Sequence, residues 1–456
     1  MPQPNHFFLR ADTVYPANRA APLRKGYVEV RDGTIVSVGS AAEAQPWEAR
    51  PDVPVVDYGA ATVLPGMIDA HCHLTLTGDG KTYEEQVLDP DEMMSLIAVS
   101  NMRRHLASGV TTIRDNGGRN RVVFVVREAI RRGYVNGPRM LLAGRPLTHD
   151  YGHFYWCNGV ADSDAEIRAA VRRLVAEGAD HIKIMASGGA TAGNMPHYPS
   201  YTADEMRVAV ETAHGLGRTT TAHARAAQSI VNAVDAGSDC VEHAEFLVPA
   251  PIRDFGPGVA SAGTMVYDPA ITERLHEAGT FVSFTIQTGG WEKLGELTAR
   301  RERGEHTSED SSRISALEDY FDMKLGIFSR LLADDMIDKL AISSDAGPYD
   351  VSFGGLQNGL VLAVRGGMSP TQALDAVTSV AAQACGIADQ VGSLHAGKVA
   401  DLLVVKGDAT ADIDAAWDVQ AVYQSGRIVA PVVATSDVDS APVRHEAAAT
   451  AFTIDC

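Results

Sequence analysis

From residue 63 to residue 392, short apolar runs alternate with segments of helix length, eight times over. Parallel strands cannot be joined by a tight turn and need a long crossover, usually a helix. The alternation therefore restricts this stretch to a mostly parallel sheet covered by helices. Strands are expected at 66–73, 109–115, 139–143, 181–185, 219–223, 239–243, 281–284 and 340–345. Helices are expected near 91–107, 120–132, 164–176, 203–216, 226–236 and 312–334, with an extended Gly/Pro-interrupted segment at 249–267. Eight such units in roughly 330 residues suit an α/β fold of the (β/α)8 TIM-barrel type.

The two ends of the chain differ from its middle. Runs at 27–30 and 34–38 flank Arg31-Asp32-Gly33, which reads as a hairpin with an Asp-Gly turn. Near the other end, runs at 400–405 and 419–423 are followed by Ser425-Gly426-Arg427. A small β-sandwich domain assembled from both ends is expected, from residues 1–62 and 393–432, with the barrel at 63–392 and a tail at 433–456. The formal net charge of −19 opposes nucleic-acid binding and anionic membranes. The five cysteines are scattered, with no C-x-x-C pair, so no disulfide framework is expected. No signal peptide and no run of transmembrane length stand out. These features favour a cytoplasmic, homo-oligomeric enzyme acting on a small molecule.

The polar residues that need explaining sit at the ends of the expected strands. They are His71 and His73, Lys183, His223, His243 and Asp345. Alternate residues of a strand face the same way, so His71 and His73 project together, and two imidazoles side by side suit a divalent metal. Each residue alone has a plainer reading. His223 or His243 suits a hydrogen-bonded core, Lys183 a strand-end salt bridge, and Asp345 a helix cap. Lys183 also has a chemical reading, because a lysine amine can add CO2 to become an anionic carbamate. Barrel active sites lie where the C-terminal strand ends meet, so these residues converge on one pocket, which favours a metal site.

With these motifs in place, the chain resembles the amidohydrolase superfamily in its binuclear, carboxylated-lysine branch. The likeness rests on V-L-P-G-M-I-D-A-H-C-H, G-V-T-T-I-R-D, Lys183, A-H-A, V-E-H, S-D-A-G and the stretch Gly392-Ser393-Leu394-His395-Ala396-Gly397-Lys398. Within that superfamily it is most similar to prolidase-type dipeptidases and imidazolonepropionase-related proteins. The resemblance implies two divalent metal ions, with zinc the first choice. His71, His73 and Asp345 would hold one ion and His223 and His243 the other, and a CO2-derived carbamate on Lys183 would bridge them. It also implies that Asp345 serves as the catalytic acid/base.

The resemblance further implies that His153, in the aromatic-rich loop 148–156, is a catalytic and substrate-contacting residue and that Tyr201 is a substrate contact. Arg225 stands two residues after His223, where dipeptidase relatives often have histidine, and suits a substrate carboxylate. The expected activity is hydrolysis of an amide-type C–N bond in an N-acyl amino acid, a dipeptide, or a carbamate or urea. A deaminase or cyclic-amide hydrolase is the alternative. Against deamination, Ala226 occupies the position three after His223 where such enzymes place a glutamate. A non-catalytic barrel scaffold is a further alternative, although such proteins tend to lose their metal ligands.

Overall fold

The eight expected central strands all form: β1 (Met67–Cys72), β2 (Val110–Asp115), β3 (Arg139–Leu142), β4 (His181–Ile184), β5 (Thr219–Ala226), β6 (Cys240–Val248), β7 (Phe281–Phe284) and β8 (Leu340–Ile342). They belong to a computed structural model that describes residues 4–41, 45–250, 253–254, 260–261 and 263–430. Neighbouring strands pair in parallel, β1–β2–β3 in one sheet and β4–β5–β6–β7–β8 in another. Isolated parallel bridges join Leu147 to Ile184 and Cys72 to Ala346, linking the two sheets at both ends. This is the arrangement that eight strand–helix units require, because every crossover lays a helix on the outer face.

The helices begin where their sequences provide caps. Thr202 accepts from Glu205 N ahead of the helix Ala203–Gly215, and Thr307 accepts from Asp310 N ahead of the helix Ser308–Ala333, each with a reciprocal capping box. Several helices go beyond the sequence reading, among them Trp291–Glu302, Leu356–Arg365 and Pro269–Ala278, the last where only an extended segment is expected before β7. Asp268 caps it, accepting from Ala270 N at 2.9 Å, and Pro269 stands at its first turn. Within 249–267, residues 251–252, 255–259 and 262 lie outside the described residues, as does the expected tail at 433–456. Strand β8 ends earlier than expected. Ser344 N turns to Asp69 Oδ1 at 3.0 Å, and Asp345 adopts a left-handed φ of 55°.

Both chain ends enter one eight-stranded sheet, made from His6–Val14, Leu23–Arg31, Thr34–Ser40, Val55–Asp57, Ala61–Pro65, Leu402–Lys406, Val419–Gln424 and Arg427–Ala430. Ala61–Pro65 pairs antiparallel with Leu402–Lys406 and leads through Gly66 directly into β1. Gly66 packs against β2 so closely that a Cβ there would lie 2.2 Å from Thr111 Oγ1. This contact fixes the point from which β1 enters the central sheet. The main core gathers Val110, Ile113, Ile182, Val241, Phe284 and Ile342. The terminal sheet has its own cluster, including Phe7, Leu9, Val28, Val63 and Val404. Among the described residues, no helix is long and apolar enough to cross a membrane.

Candidate metal centre

His71 and His73 leave the end of β1 side by side, with their Nε2 atoms 3.2 Å apart. His73 Nδ1 donates to Gly117 O at 3.0 Å, which leaves a lone pair on its Nε2. Asp345 Oδ1 lies 3.4 Å from His71 Nε2 and 3.5 Å from His73 Nε2. The backbone holds this meeting in register. Asp345 N donates to His71 O, and His73 N to Ala346 O, each at 2.8 Å.

From the opposite side, β5 and β6 deliver His223 and His243. His223 Nε2 donates to Gly188 O at 3.2 Å, so its Nδ1 carries the lone pair, 2.8 Å from His243 Nε2. One nitrogen each from His71 and His243 and one Asp345 oxygen all lie within 4.8 Å of one another, a spacing open to one ion. His243 and Asp345 both sit at left-handed φ values, 69° and 55°. Such conformations cost about 1–3 kcal/mol each outside glycine and cluster at functional sites.

Lys183, on β4, is fully buried, and its amine has no hydrogen-bond partner. Burial lowers its proton affinity, against the pull of Glu242 and Asp345. Burial likewise holds His71, His223 and His243 well below the usual imidazole range, and it pushes the Asp345 carboxyl up. The donor set is therefore several imidazoles held toward their neutral form, one carboxyl and an orphaned amine. That set fits divalent cations, and it fits a lysine converted to a carbamate.

A cavity opens above these side chains. His73, His153, His223, His243, Arg225 and Asp345 all line it, so the structure brings these expected residues together. His153 is 3% exposed; its Nδ1 lies 2.7 Å from Thr191 Oγ1, and its ring stands 4.6 Å from that of His223. The loop after β4 crosses over this ring, because a Cβ on Gly189 would meet His153 Nε2 at 2.5 Å. Tyr349 OH donates to Ala190 O at 2.9 Å and secures the same loop. Tyr201 is not brought in. It does not line the cavity, and its hydroxyl donates to Ala161 O at 2.9 Å.

Beyond the expected residues, Glu245 and Tyr320 also line the cavity, and Lys324 reaches Glu245 without lining it. Arg225 Nε donates to Glu245 Oε2 at 2.6 Å. Tyr320 OH and Lys324 Nζ both reach Glu245 Oε1 at 3.2 Å, and Lys324 Nζ also donates to Thr288 O at 2.8 Å. Burial would raise the Glu245 pKa, but Arg225 and Lys324 outweigh it and hold the group at about 2. Two cations against one anion leave this buried wall with an excess positive charge. A signal for Lys324 was available, since it falls on the buried stripe Tyr320, Lys324, Phe328 of its helix at steps of four.

Comparison with known proteins shows which family and fold the chain is similar to. The model of the amidohydrolase family matches residues 62–429. Over 435 residues the chain is 25% identical to an ochratoxinase of Aspergillus niger, covering 88% of this chain and 81% of that one. Over 401 residues it is 25% identical to an imidazolonepropionase of Chloroflexus aggregans, covering 85% and 86%. A crystal structure of a Xaa-Pro dipeptidase with methionine bound in its active site superposes with a TM-score of 0.74 at 24% identity, covering 93% of this chain and 99% of that one.

Proposed function

The chain belongs to the amidohydrolase family and is a metal-dependent hydrolase of amide-type C–N bonds, and from that premise we propose how its residues divide the work. His71, His73 and Asp345 would hold one divalent ion, and His223 and His243 a second. Zinc suits the imidazole and carboxylate donors. Lys183 would serve as a further ligand in the form of a carbamate, its neutral amine nitrogen adding to the carbon of CO2 with release of one proton. The observation that carries this reading is the fully buried Lys183 amine, without a hydrogen-bond partner, below two pairs of imidazoles whose nitrogens face each other.

When bound, the ions would polarise the scissile carbonyl and lower the pKa of a water held between them. The remaining steps fall to the chain. Asp345 opens onto the cavity, takes the proton of the attacking water and returns it to the leaving nitrogen. The C–N bond breaks, an amine leaves, and the carbonyl carbon becomes a carboxylate. His153, its Nδ1 engaged by Thr191, presents its other nitrogen to the carbonyl oxygen as charge builds there. Arg225, which lines the cavity and shares Glu245 with Lys324, favours a substrate that carries a carboxylate, as an N-acyl amino acid or a dipeptide does. The names of the relatives, an ochratoxinase and a Xaa-Pro dipeptidase, are compatible with that class.

Deamination fits less well. Ala226 is buried where a shuttling glutamate is needed, and Glu245 is held ionised by two cations. The finer architecture belongs to the same proposal. The Leu147–Ile184 and Cys72–Ala346 bridges support closure of the eight strands into a barrel. Residues 1–62 and 393–432 would form a small sandwich-like domain, supported by Leu9 packing on one face of their sheet and Phe8 on the other.

The test is a screen of N-acyl amino acids, dipeptides, carbamates and ureas with metal-loaded protein. Hydrolysis of a carboxylate-bearing amide, abolished by a chelator and restored by zinc, is the expected result. Turnover that survives complete metal removal would overturn the reading.

A further inference from the structure

We propose that Glu242 is a positioning residue that fixes the orientation and tautomer of His71, and that Arg114 holds Glu242 in place for this purpose. The inference rests on the metal-centre reading above and concerns groups beneath it, in the interior of the barrel.

His71 and Glu242 are both completely buried, and His71 Nδ1 lies 2.8 Å from Glu242 Oε2. Neither atom has a well-aligned hydrogen bond to any group, so their 2.8 Å approach is a close contact that a small turn of the ring would convert into a hydrogen bond. Each therefore has the other as its available partner, and leaving either unpaired carries the full desolvation cost. The other carboxylate oxygen, Oε1, accepts from Arg114 Nη2 at 2.9 Å. Arg114 is itself immobilised, donating from Nε to Ala70 O at 2.8 Å and from Nη1 to Ala384 O at 2.9 Å. The clamp thus grips the residue next to His71 as well as the carboxylate that faces it.

The chemistry follows by elimination. Arg114 Nη2 takes up Oε1, which leaves Oε2 as the acceptor that faces His71 Nδ1. The proton of a neutral His71 must then sit on Nδ1. Its Nε2 is left with a lone pair directed at the space shared with His73 Nε2, 3.2 Å away, and Asp345 Oδ1, 3.4 Å away. A carboxylate behind an imidazole also makes that imidazole a stronger donor. A purely structural role explains less. A buried ion pair often stabilises a fold no better than apolar residues of the same volume.

The test uses the full-length protein freed of metal by a chelator. Zinc affinity is measured by competition with a chromophoric chelator, cobalt binding by its visible spectrum, and melting without metal. Glu242→Gln keeps the size and removes the charge. It should weaken zinc binding by about 10–100-fold and alter the cobalt spectrum, while melting of the metal-free protein stays within a few degrees of the parent. If Glu242→Gln does not fold, Glu242→Asp keeps the charge for Arg114 and withdraws the carboxylate by one methylene, and the same loss of affinity is expected. Unchanged zinc affinity in the folded variant overturns the proposal, and so does a loss matched by an equal loss of metal-free stability. If the parent protein itself binds no divalent ion, it is the metal-centre reading that fails.

Discussion

The Nε2 atoms of His71 and His73 face each other across 3.2 Å, beside an Asp345 oxygen 3.4 Å from the first and 3.5 Å from the second. His73 Nδ1 donates to Gly117 O, so its Nε2 keeps a lone pair facing His71, and a bound cation would add interactions that the metal-free protein lacks. Removing metal should therefore destabilise the fold as well as stop turnover. A ligand present at about 1,000 times its Kd stabilises by about 4 kcal/mol. Chelator treatment should lower the melting temperature by several degrees, reversibly on adding zinc, and an unchanged melt would count against a resident ion.

Lys183→Ala should lose bound metal and activity together, because it removes the fully buried amine that β4 brings to the site. Small carboxylic acids added to the variant should restore part of both by occupying the space of the carbamate. A variant with full metal content and normal turnover would refute the bridging role.

Asp345→Asn keeps an oxygen donor of the same size and removes the base. Metal content should stay near normal while kcat falls at least ~10²-fold, the usual scale for general acid–base catalysis. If Asp345 serves only to turn the chain after β8, the asparagine enzyme will work within a few-fold of the parent.

Arg225→Gln leaves Glu245 with Lys324 and Tyr320, so the wall should hold. A lost charged hydrogen bond to substrate is worth about 1.5–3 kcal/mol. The value of kcat/KM for carboxylate-bearing amides should then fall by roughly 10–100-fold. Neutral amides should change far less, and an equal loss on both would show that Arg225 only supports the wall.

The placement of these residues was unevenly legible in the sequence. The pairing of His71 with His73 follows from the two-residue period of a strand, and the convergence of five strand ends follows from eight strand–helix units. The helix Pro269–Ala278 was hidden by the Gly/Pro-rich stretch before it, although Asp268-Pro269 is an ordinary start signal. Lys324 arrives from a helix and Glu245 from two residues beyond a ligand, so only tertiary contact joins them to Arg225. Tyr201 lies close in sequence to the loop after β4, yet it spends its hydroxyl on Ala161 O, which spacing alone does not reveal.

The charged wall also predicts a pH dependence. The folded Glu245 pKa of about 2 lies below its ordinary 4.5. A depressed carboxyl contributes stability that is complete above pH 4.5 and is lost as pH falls toward 2. Glu245→Gln should be less stable at neutral pH, and its stability should fall less steeply across that window in urea titrations. A slope equal to the parent's would assign the acid sensitivity elsewhere.

The central claim is a two-ion centre bridged through Lys183, and counting metal per chain tests it most directly. Elemental analysis of the purified protein, after loading with zinc and removal of the excess, should give about two ions per chain, as a binuclear hydrolase requires, and clearly fewer in Lys183→Ala. An active enzyme that holds one ion or none, with Lys183→Ala holding as many as the parent, would contradict it.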